Sequence, residues 1–175
     1  QLRQHSFDYV VHAAGVTKCL NKADFFKTNS KGTRHLVNAI LNLAIPVKRF
    51  VFISSLSILG PIREEEPHTD ITDSDTPQPN TAYGKSKLEA EDYLRSVADR
   101  LPFIILRPTG VYGPREKDYF MMAESIKKHV DFAVGYKRQD ITFIFVSDVV
   151  QAVFLALTNG KTGSSYILSD GEVYS

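Results

Sequence analysis

Tyr83 and Lys87 stand four residues apart in the segment YGKSK. On a helix such positions share one face. A free phenol, with a pKa of about 10, is a poor base at neutral pH, but a neighbouring ammonium stabilises the phenolate and lowers that value. The pair can then carry a proton to or from a substrate oxygen. The pattern is short, and an exposed tyrosine and lysine on an amphipathic helix would produce it equally well. Of the eight tyrosines, however, only Tyr83 has lysine at this spacing.

Other groups stand where chemistry can be done. SSLS (Ser54 to Ser57) follows the β-rich run RFVFISS, and a hydroxyl there can hydrogen-bond a substrate oxygen and stabilise its charge. A turn that tolerates serine explains the segment as well. HAAG (His12 to Gly15) ends the apolar run FDYVVHAA with small residues that let a flat ligand approach the backbone. His12 itself reads as an ordinary, partly buried histidine. Asn29, in NSKGT, lies near the start of a helix, where capping is its simplest role. RPTGVYGP (Arg107 to Pro114) leaves a strand and turns with two glycines and two prolines, as a plain loop or as a ligand contact. The five histidines show no metal-ligand spacing, so no metal is expected.

These groups need a scaffold, and the chain supplies one by alternation. Strand-like runs cover Phe7 to Ala14, Arg49 to Ser55, Phe103 to Pro108, Ile141 to Val146 and Ser165 to Asp170. Helical patterns lie between them. One carries Leu36, Ile40, Leu43 and Ala44 on one face and is stopped by Pro46. Others run from about Thr81 to Arg100, from Tyr119 to His129, and through DVVQAVFLAL, where Asp148 suits the positive end of the helix dipole. The proline-rich stretch from Gly60 to Asn80 is a long loop. Strands alternating with helices predict an α/β fold with a parallel sheet and right-handed crossovers. In such sheets ligands lie beyond the carboxyl ends of the strands. That rule gathers Ala13 to Thr17, Ser54 to Ser57 and Arg107 to Tyr112 into one region.

The bulk properties exclude some partners. The 175 residues carry a net charge of +1, which gives no reason to expect nucleic acid or an anionic membrane. No apolar run reaches the length of a membrane-spanning helix. Cys19 is the single cysteine, so the expected compartment is the reducing cytoplasm. The chain enters a strand within seven residues of Gln1 and reaches Ser175 just after another, so a piece of a larger fold is expected. No G-x-G-x-x-G loop occurs; if a dinucleotide binds, the helix that cradles its pyrophosphate must lie before Gln1.

Taken together and in order, these segments resemble the extended short-chain dehydrogenase/reductase family, in its NAD-dependent epimerase/dehydratase branch. HAAG resembles the segment that passes the cofactor, and NSKGT (Asn29 to Thr33) the N-x-x-G-T helix motif. FVFISSLSILG resembles the strand that delivers the catalytic Ser or Thr, with Ser55 in that place when Gly60 is aligned. YGKSK supplies Y-x-x-x-K, RPTGVYGP the R-P-x-x-V-Y-G-P segment, and FIFVSDVVQA the V-x-D-V-x-x-A segment. Leu59 departs from the pattern, since many members have an aromatic residue there. The acidic pair of the family's dehydratases is also missing, with Leu56 and Ser57 in its place.

The resemblance implies a partial doubly wound, Rossmann-type parallel sheet lacking its N-terminal strands and C-terminal portion. Residues 1–175 would be the catalytic part of an NAD(P)-binding domain, with the substrate-binding region beginning within about 113–175. It implies Ser55, Tyr83 and Lys87 as catalytic residues, and NAD or NADP as cofactor. The cofactor would be met by Ala13, Ala14, Gly15, Asn29, Ser54, Tyr83, Lys87, Pro108, Thr109 and Val111. Thr17, Ser57, Tyr112 and Arg115 would meet the substrate. The implied activity is epimerisation of a nucleotide sugar or related small molecule by transient hydride transfer, with Tyr83 as general acid/base. Two alternatives stand beside it: a net NADP-dependent reductase of a ketone, steroid-like or flavonoid-like substrate, and a non-catalytic cofactor-binding module. The partners implied are a small-molecule substrate and, as the assembly the family allows, a homodimer.

Overall fold

The structure is a computed structural model and describes residues 7–61, 69–129 and 140–174. Four strands form one parallel sheet in the order β1 (Tyr9–His12), β2 (Arg49–Ile53), β3 (Phe103–Pro108) and β6 (Ser165–Leu168). β2 and β3 are rich in aromatic and β-branched residues, and every residue of β3 is buried, as expected for a central strand covered on both faces.

Alternation along these strands builds two cores. Phe50, Phe52, Phe103 and Ile105 meet Val37 and Ile40 of α2 (Gly32–Asn42) and Ala90 and Leu94 of α3 (Ala82–Ser96). Val51, Ile104 and Leu106 meet Ala156 and Val153 of α5 (Val146–Thr158) on the other face. Burying each of these large side chains is worth about 1.5–3 kcal/mol, enough to fix the helices against the sheet. Among the described residues no strand pairs with the outer edge of β1, where Tyr9 is 52% and Val11 45% exposed, and α5 exposes Phe154 and Leu155.

Several sequence-based boundaries shift. The first strand spans Tyr9–His12 only, so Ala13, Ala14 and Gly15 leave it. The helix expected to hold Leu43 and Ala44 closes at Asn42, before Pro46 can act. Ala44 takes φ 49, and the Ile45 amide donates to the Ile40 carbonyl, so a left-handed turn ends the helix. Asn29 is not at a helix start. Helical structure begins at α1 (Lys22–Phe25), capped by the Asn21 side chain, and passes through a π-helical turn, Phe26–Lys31, that holds Asn29. Ile141 to Val146 does not extend the main sheet. Its core, β5 (Phe143–Phe145), pairs in parallel with β4 (Gly110–Tyr112) in a separate two-stranded sheet, so part of the expected turning loop is a strand. Of the long loop from Gly60 to Asn80, residues 62–68 lie outside the described residues, and the described remainder holds no helix or strand. Of the helix expected over Tyr119 to His129, the structure forms α4 (Asp118–Lys127).

Candidate active site

The parallel register brings the carboxyl ends of β1, β2 and β3 side by side, so three expected clusters share one edge. After β2 the chain folds at once into a 3₁₀ turn, Leu56–Ile58, capped by the Ser55 hydroxyl, which accepts from the Ser57 amide at 3.2 Å. α3 begins opposite this turn. Thr81 caps it, its hydroxyl accepting from the Gly84 amide at 3.0 Å. The helix approaches so closely that a Cβ on Gly84 would lie 2.5 Å from the Ser57 carbonyl oxygen. That contact places Tyr83 near Ser55, whose hydroxyl favours the phenolate.

Lys87 lies one turn further along and is buried. Its Nζ donates to the Ile53 carbonyl at 2.9 Å and sits 5.0 Å from the Phe52 ring centre. From the Tyr83 ring centre it is 6.0 Å away. The expected lowering of the phenol by Lys87 is not what this geometry gives. Burial pushes the Tyr83 phenol up from its ordinary value, with the Ser55 hydroxyl opposing, and the ammonium is turned to a backbone carbonyl instead of the phenol oxygen. Burial brings Lys87 down to about 8, with Glu91 acting in the other direction.

A buried polar network fixes the loop after β1 against this pair. The Asn29 side chain accepts from the Val16 amide at 2.8 Å and donates to the Val16 carbonyl and the Ser86 hydroxyl, both at 3.0 Å. Ser86 in turn donates to the Tyr83 carbonyl at 2.7 Å. Asn29 thus clamps both backbone groups of one loop residue and touches the turn that carries Tyr83. The π-helical turn is what aims it there. His12 is bonded to the Thr33 hydroxyl at 2.9 Å, and Thr33 donates to the Asn29 carbonyl, so His12 Nε2 is the donor. Burial and then Lys87 hold His12 down to about 4, so it is neutral at physiological pH.

Ala13, Ala14, Gly15 and Thr17 form an exposed, small-residue surface after β1. A Cβ on Gly15 would stand 3.0 Å from Asn29 Oδ1 and 3.3 Å from Lys87 Nζ, so the absent side chain leaves the polar groups reachable over the backbone. The Ser54, Ser57 and Thr109 hydroxyls are buried with no hydrogen-bond partner. Pro108 is buried at the end of β3, and Val111 lies half-buried on β4. Tyr112 follows Val111 and is 41% exposed. Arg115 sits beyond it in an exposed turn at φ 77. Orphaned hydroxyls beside an open backbone surface and a buried ammonium fit a ribose and a carboxamide, the polar groups of a nicotinamide nucleotide. Among the described residues, no cluster of His, Cys, Asp or Glu could hold a metal ion, and no helix is long and apolar enough to cross a membrane.

The family model that describes the NAD dependent epimerase/dehydratase family matches residues 1–169. The chain belongs to that family. One epimerase/dehydratase relative, the dTDP-D-glucose 4,6-dehydratase of Mus musculus, is 28% identical over 171 residues, covering 91% of this chain and 46% of its own length. The UDP-glucose 4-epimerase of Vibrio cholerae is 27% identical, over 93% of this chain and 52% of its own length. Among solved structures, RMD from Pseudomonas aeruginosa complexed with NADPH superposes with a TM-score of 0.80 at 26% identity, over 95% of this chain and 62% of that one. The chain therefore spans about half the length of the curated relatives it matches.

Three contributors to the site had not been singled out from sequence. Phe25 packs edge-on to Tyr83, with ring centres 6.0 Å apart. Gly84 permits the close approach already described. Glu91 forms a buried pair with Arg107, at 2.8 Å and 3.2 Å. Glu91 repeats the spacing of Tyr83 and Lys87, and Arg107 stands in an otherwise apolar strand. Together those facts were a readable signal for a buried ion pair.

Proposed function

We propose that this chain carries the catalytic part of an NAD(P)-dependent enzyme that moves hydride at a carbon–oxygen bond of a small molecule. The observation that carries the reading is the close approach of α3 at Gly84 to the turn after β2, which sets Tyr83 near Ser55 with the Lys87 ammonium buried alongside and bonded to the Ile53 carbonyl. Ser55 orients the substrate oxygen, and Tyr83 donates or accepts its proton. Lys87 and Asn29, with Ala13, Ala14, Gly15, Ser54, Pro108, Thr109 and Val111, are the residues that would hold the nicotinamide half. When bound, NAD(P) supplies the hydride acceptor and donor, and the cationic charge of its oxidised ring favours the phenolate that burial opposes. Thr17, Ser57, Tyr112 and Arg115 face the substrate side. We assign the substrate-binding region to begin within 113–175, and the pyrophosphate grip to a βα unit that pairs with the open edge of β1.

The epimerase and dehydratase relatives favour a nucleotide sugar, epimerised by transient oxidation and return of the hydride. Net reduction of a less polar ketone is a second reading, favoured by the aromatic lining of the cavity beyond β4, which Tyr112, Tyr119, Phe120 and Phe143 share. The test is stopped-flow absorbance at the reduced-nicotinamide band in the full-length protein, wild type against Tyr83→Phe. Tyr83→Phe is expected to lose turnover by about 10²–10⁴-fold while keeping its fold and cofactor affinity. Undiminished hydride transfer in that variant refutes the assignment.

A further inference from the structure

The loop between β2 and α3 is fastened to the sheet by a carboxylate before it delivers Tyr83. Thr72 to Asp75 form a tight turn: the Asp75 amide donates to the Thr72 carbonyl at 3.1 Å, and the Thr72 amide donates to the Asp75 carboxylate at 2.7 Å. This turn presents Asp73 to β3 and β6. One Asp73 oxygen accepts from the Ile167 amide of β6 at 3.1 Å, and the other stands 3.6 Å from Arg107 Nη1 of β3. Arg107 and Ile167 are partners in the ladder, so one side chain meets both strands at the same level. Glu91 of α3 holds Nε and Nη2 of the same guanidinium, which is thus gripped from helix and loop. Burial raises the Asp73 carboxyl from its ordinary value, with the Ile167 amide and then Arg107 opposing. An ionised acceptor on a backbone amide makes one of the stronger hydrogen bonds a loop can offer.

The same loop is fixed again just before α3. The Gln78 amide donates to the Leu59 carbonyl at 3.3 Å, at the end of the 3₁₀ turn. A Cβ on Gly60, which sits at φ 68, would overlap the Gln78 carbonyl. A Cβ on Gly84 would stand 3.0 Å from Pro79 Cβ. Gln78 and Pro79 are therefore packed between the turn that follows Ser55 and the first turn of α3. Thr81 then caps the helix, and Tyr83 follows. The stretch from Asp73 to Thr81 carries Pro77 and Pro79, whose rings fix φ and leave it little slack. Movement at Asp73 is passed on to the start of α3 instead of being absorbed.

We propose that Asp73 is a positioning residue for Tyr83: its carboxylate latches the loop to β6 through the Ile167 amide, beside Arg107 of β3, and so sets where the amino end of α3 meets the turn bearing Ser55. The catalytic consequence rests on the hydride-transfer reading. Losing the latch displaces the phenol from the substrate oxygen, while Lys87 and Asn29, held by their own partners, stay where the cofactor needs them.

Amide hydrogen exchange on the full-length protein tests the latch without any substrate, in Asp73→Ala and Asp73→Asn. The Asp73 side chain is 40% exposed, so neither variant opens the core. Asparagine keeps an oxygen for the Ile167 amide, and alanine does not. Asp73→Ala is expected to speed exchange about 10- to 100-fold at Ile167 and about 3- to 10-fold at Gly84 and Lys85, whose amides bond to Thr81 at the start of α3. Asp73→Asn is expected to stay within about threefold of wild type at both places. Stopped-flow with UDP-glucose as hydride donor adds the catalytic arm. There Asp73→Ala should lower the rate about tenfold with KM unchanged, and should slow Tyr83→Phe by no more than about twofold further. The proposal is overturned if Asp73→Ala leaves exchange at Ile167 or at the start of α3 as in wild type, if asparagine loses as much as alanine, or if alanine slows Tyr83→Phe as much as it slows wild type. Undiminished hydride transfer in Tyr83→Phe would instead refute the catalytic reading and leave the exchange results to decide the latch.

Discussion

Gly84→Ala puts the close approach of α3 to the 3₁₀ turn under direct test. Alanine is the better helix former by about 1 kcal/mol, and position 84 is helical, so propensity alone predicts a more stable protein. Packing predicts the reverse. The new Cβ would stand 2.5 Å from the Ser57 carbonyl oxygen and 3.0 Å from Pro79 Cβ. Carbon and oxygen in contact need about 3.3 Å, so helix and turn must separate by roughly 0.8 Å. The obstacle is backbone, which cannot rotate away as a side chain tip does. Overpacking of this kind costs about 1–3 kcal/mol, so the net expectation is a loss of up to about 2 kcal/mol once the propensity gain is subtracted.

The larger effect should fall on catalysis. Tyr83 is on the helix that moves, and Ser55 caps the turn it moves from. Misplacing reacting groups by about 1 Å can cost about 10²-fold in rate, and 10- to 100-fold is expected here. Urea unfolding gives the stability and single-turnover hydride transfer the rate, both on the full-length protein. Gly32→Ala is the control. Its backbone is helical at φ −59, and its nearest obstacle is 3.8 Å away, so it should gain up to about 1 kcal/mol with unaltered turnover. If Gly84→Ala is as stable and as fast as wild type, the idea that this contact positions Tyr83 against Ser55 is wrong.

Three other outcomes follow from the buried charges. Glu91→Gln leaves the Arg107 guanidinium, 3% exposed, without its carboxylate, and should lower the unfolding free energy by about 3–5 kcal/mol in denaturant titrations; a change under 1 kcal/mol would mean Asp73 alone suffices. His12 titrates at about 4 when folded and near 6.5 when unfolded, so the unfolded chain binds its proton first and stability falls as pH drops through that window. His12→Asn should remove that slope, worth on the order of 2–3 kcal/mol, and an unchanged slope would point to other groups. Lys87 acts in the same direction at higher pH. Its folded value of about 8 lies below 10.5, so the unfolded chain holds the proton longer and wild-type stability relative to Lys87→Met should rise between pH 8 and 10.5; a flat difference would show that Lys87 is not held in a desolvated place.

Much of the frame was legible because the main strands are strongly patterned. FIILRP is apolar throughout and is the fully buried β3; RFVFI alternates its two faces between the two helical layers. The order of HAAG, SSLS and YGKSK along the chain, with the rule for ligands at strand ends, was enough to bring those segments to one edge. The side sheet was not legible. β4 is three residues long, too short for any period to show, and its pairing with β5 joins residues some thirty positions apart. The π-helical turn was hidden for another reason: widening a helix by one residue leaves no mark on composition, yet it decides where Asn29 points. The partner of Lys87 is a backbone carbonyl, a group every residue possesses, so no side-chain pattern could announce it.

α3 shows why a helix with so weak an apolar face is nonetheless fixed in place. Its inner positions Tyr83, Lys87 and Glu91 recur every four residues; Tyr83 lies near Ser55, Lys87 is bonded to the Ile53 carbonyl and Glu91 to Arg107. Ala90 and Leu94 supply apolar burial between and beyond them. A hydrophobic stripe alone would tolerate some sliding of the helix over β2 and β3. The ammonium and the carboxylate do not, because a shift of one residue would bury each charge without its partner, at several kcal/mol apiece. Burying Lys87 is itself unfavourable, as its lowered pKa indicates, and the fold retains it. Glu91 and Arg107 are the structural answer to that cost: their bidentate pair anchors the helix two turns below Tyr83 and sets the register in which the phenol reaches Ser55.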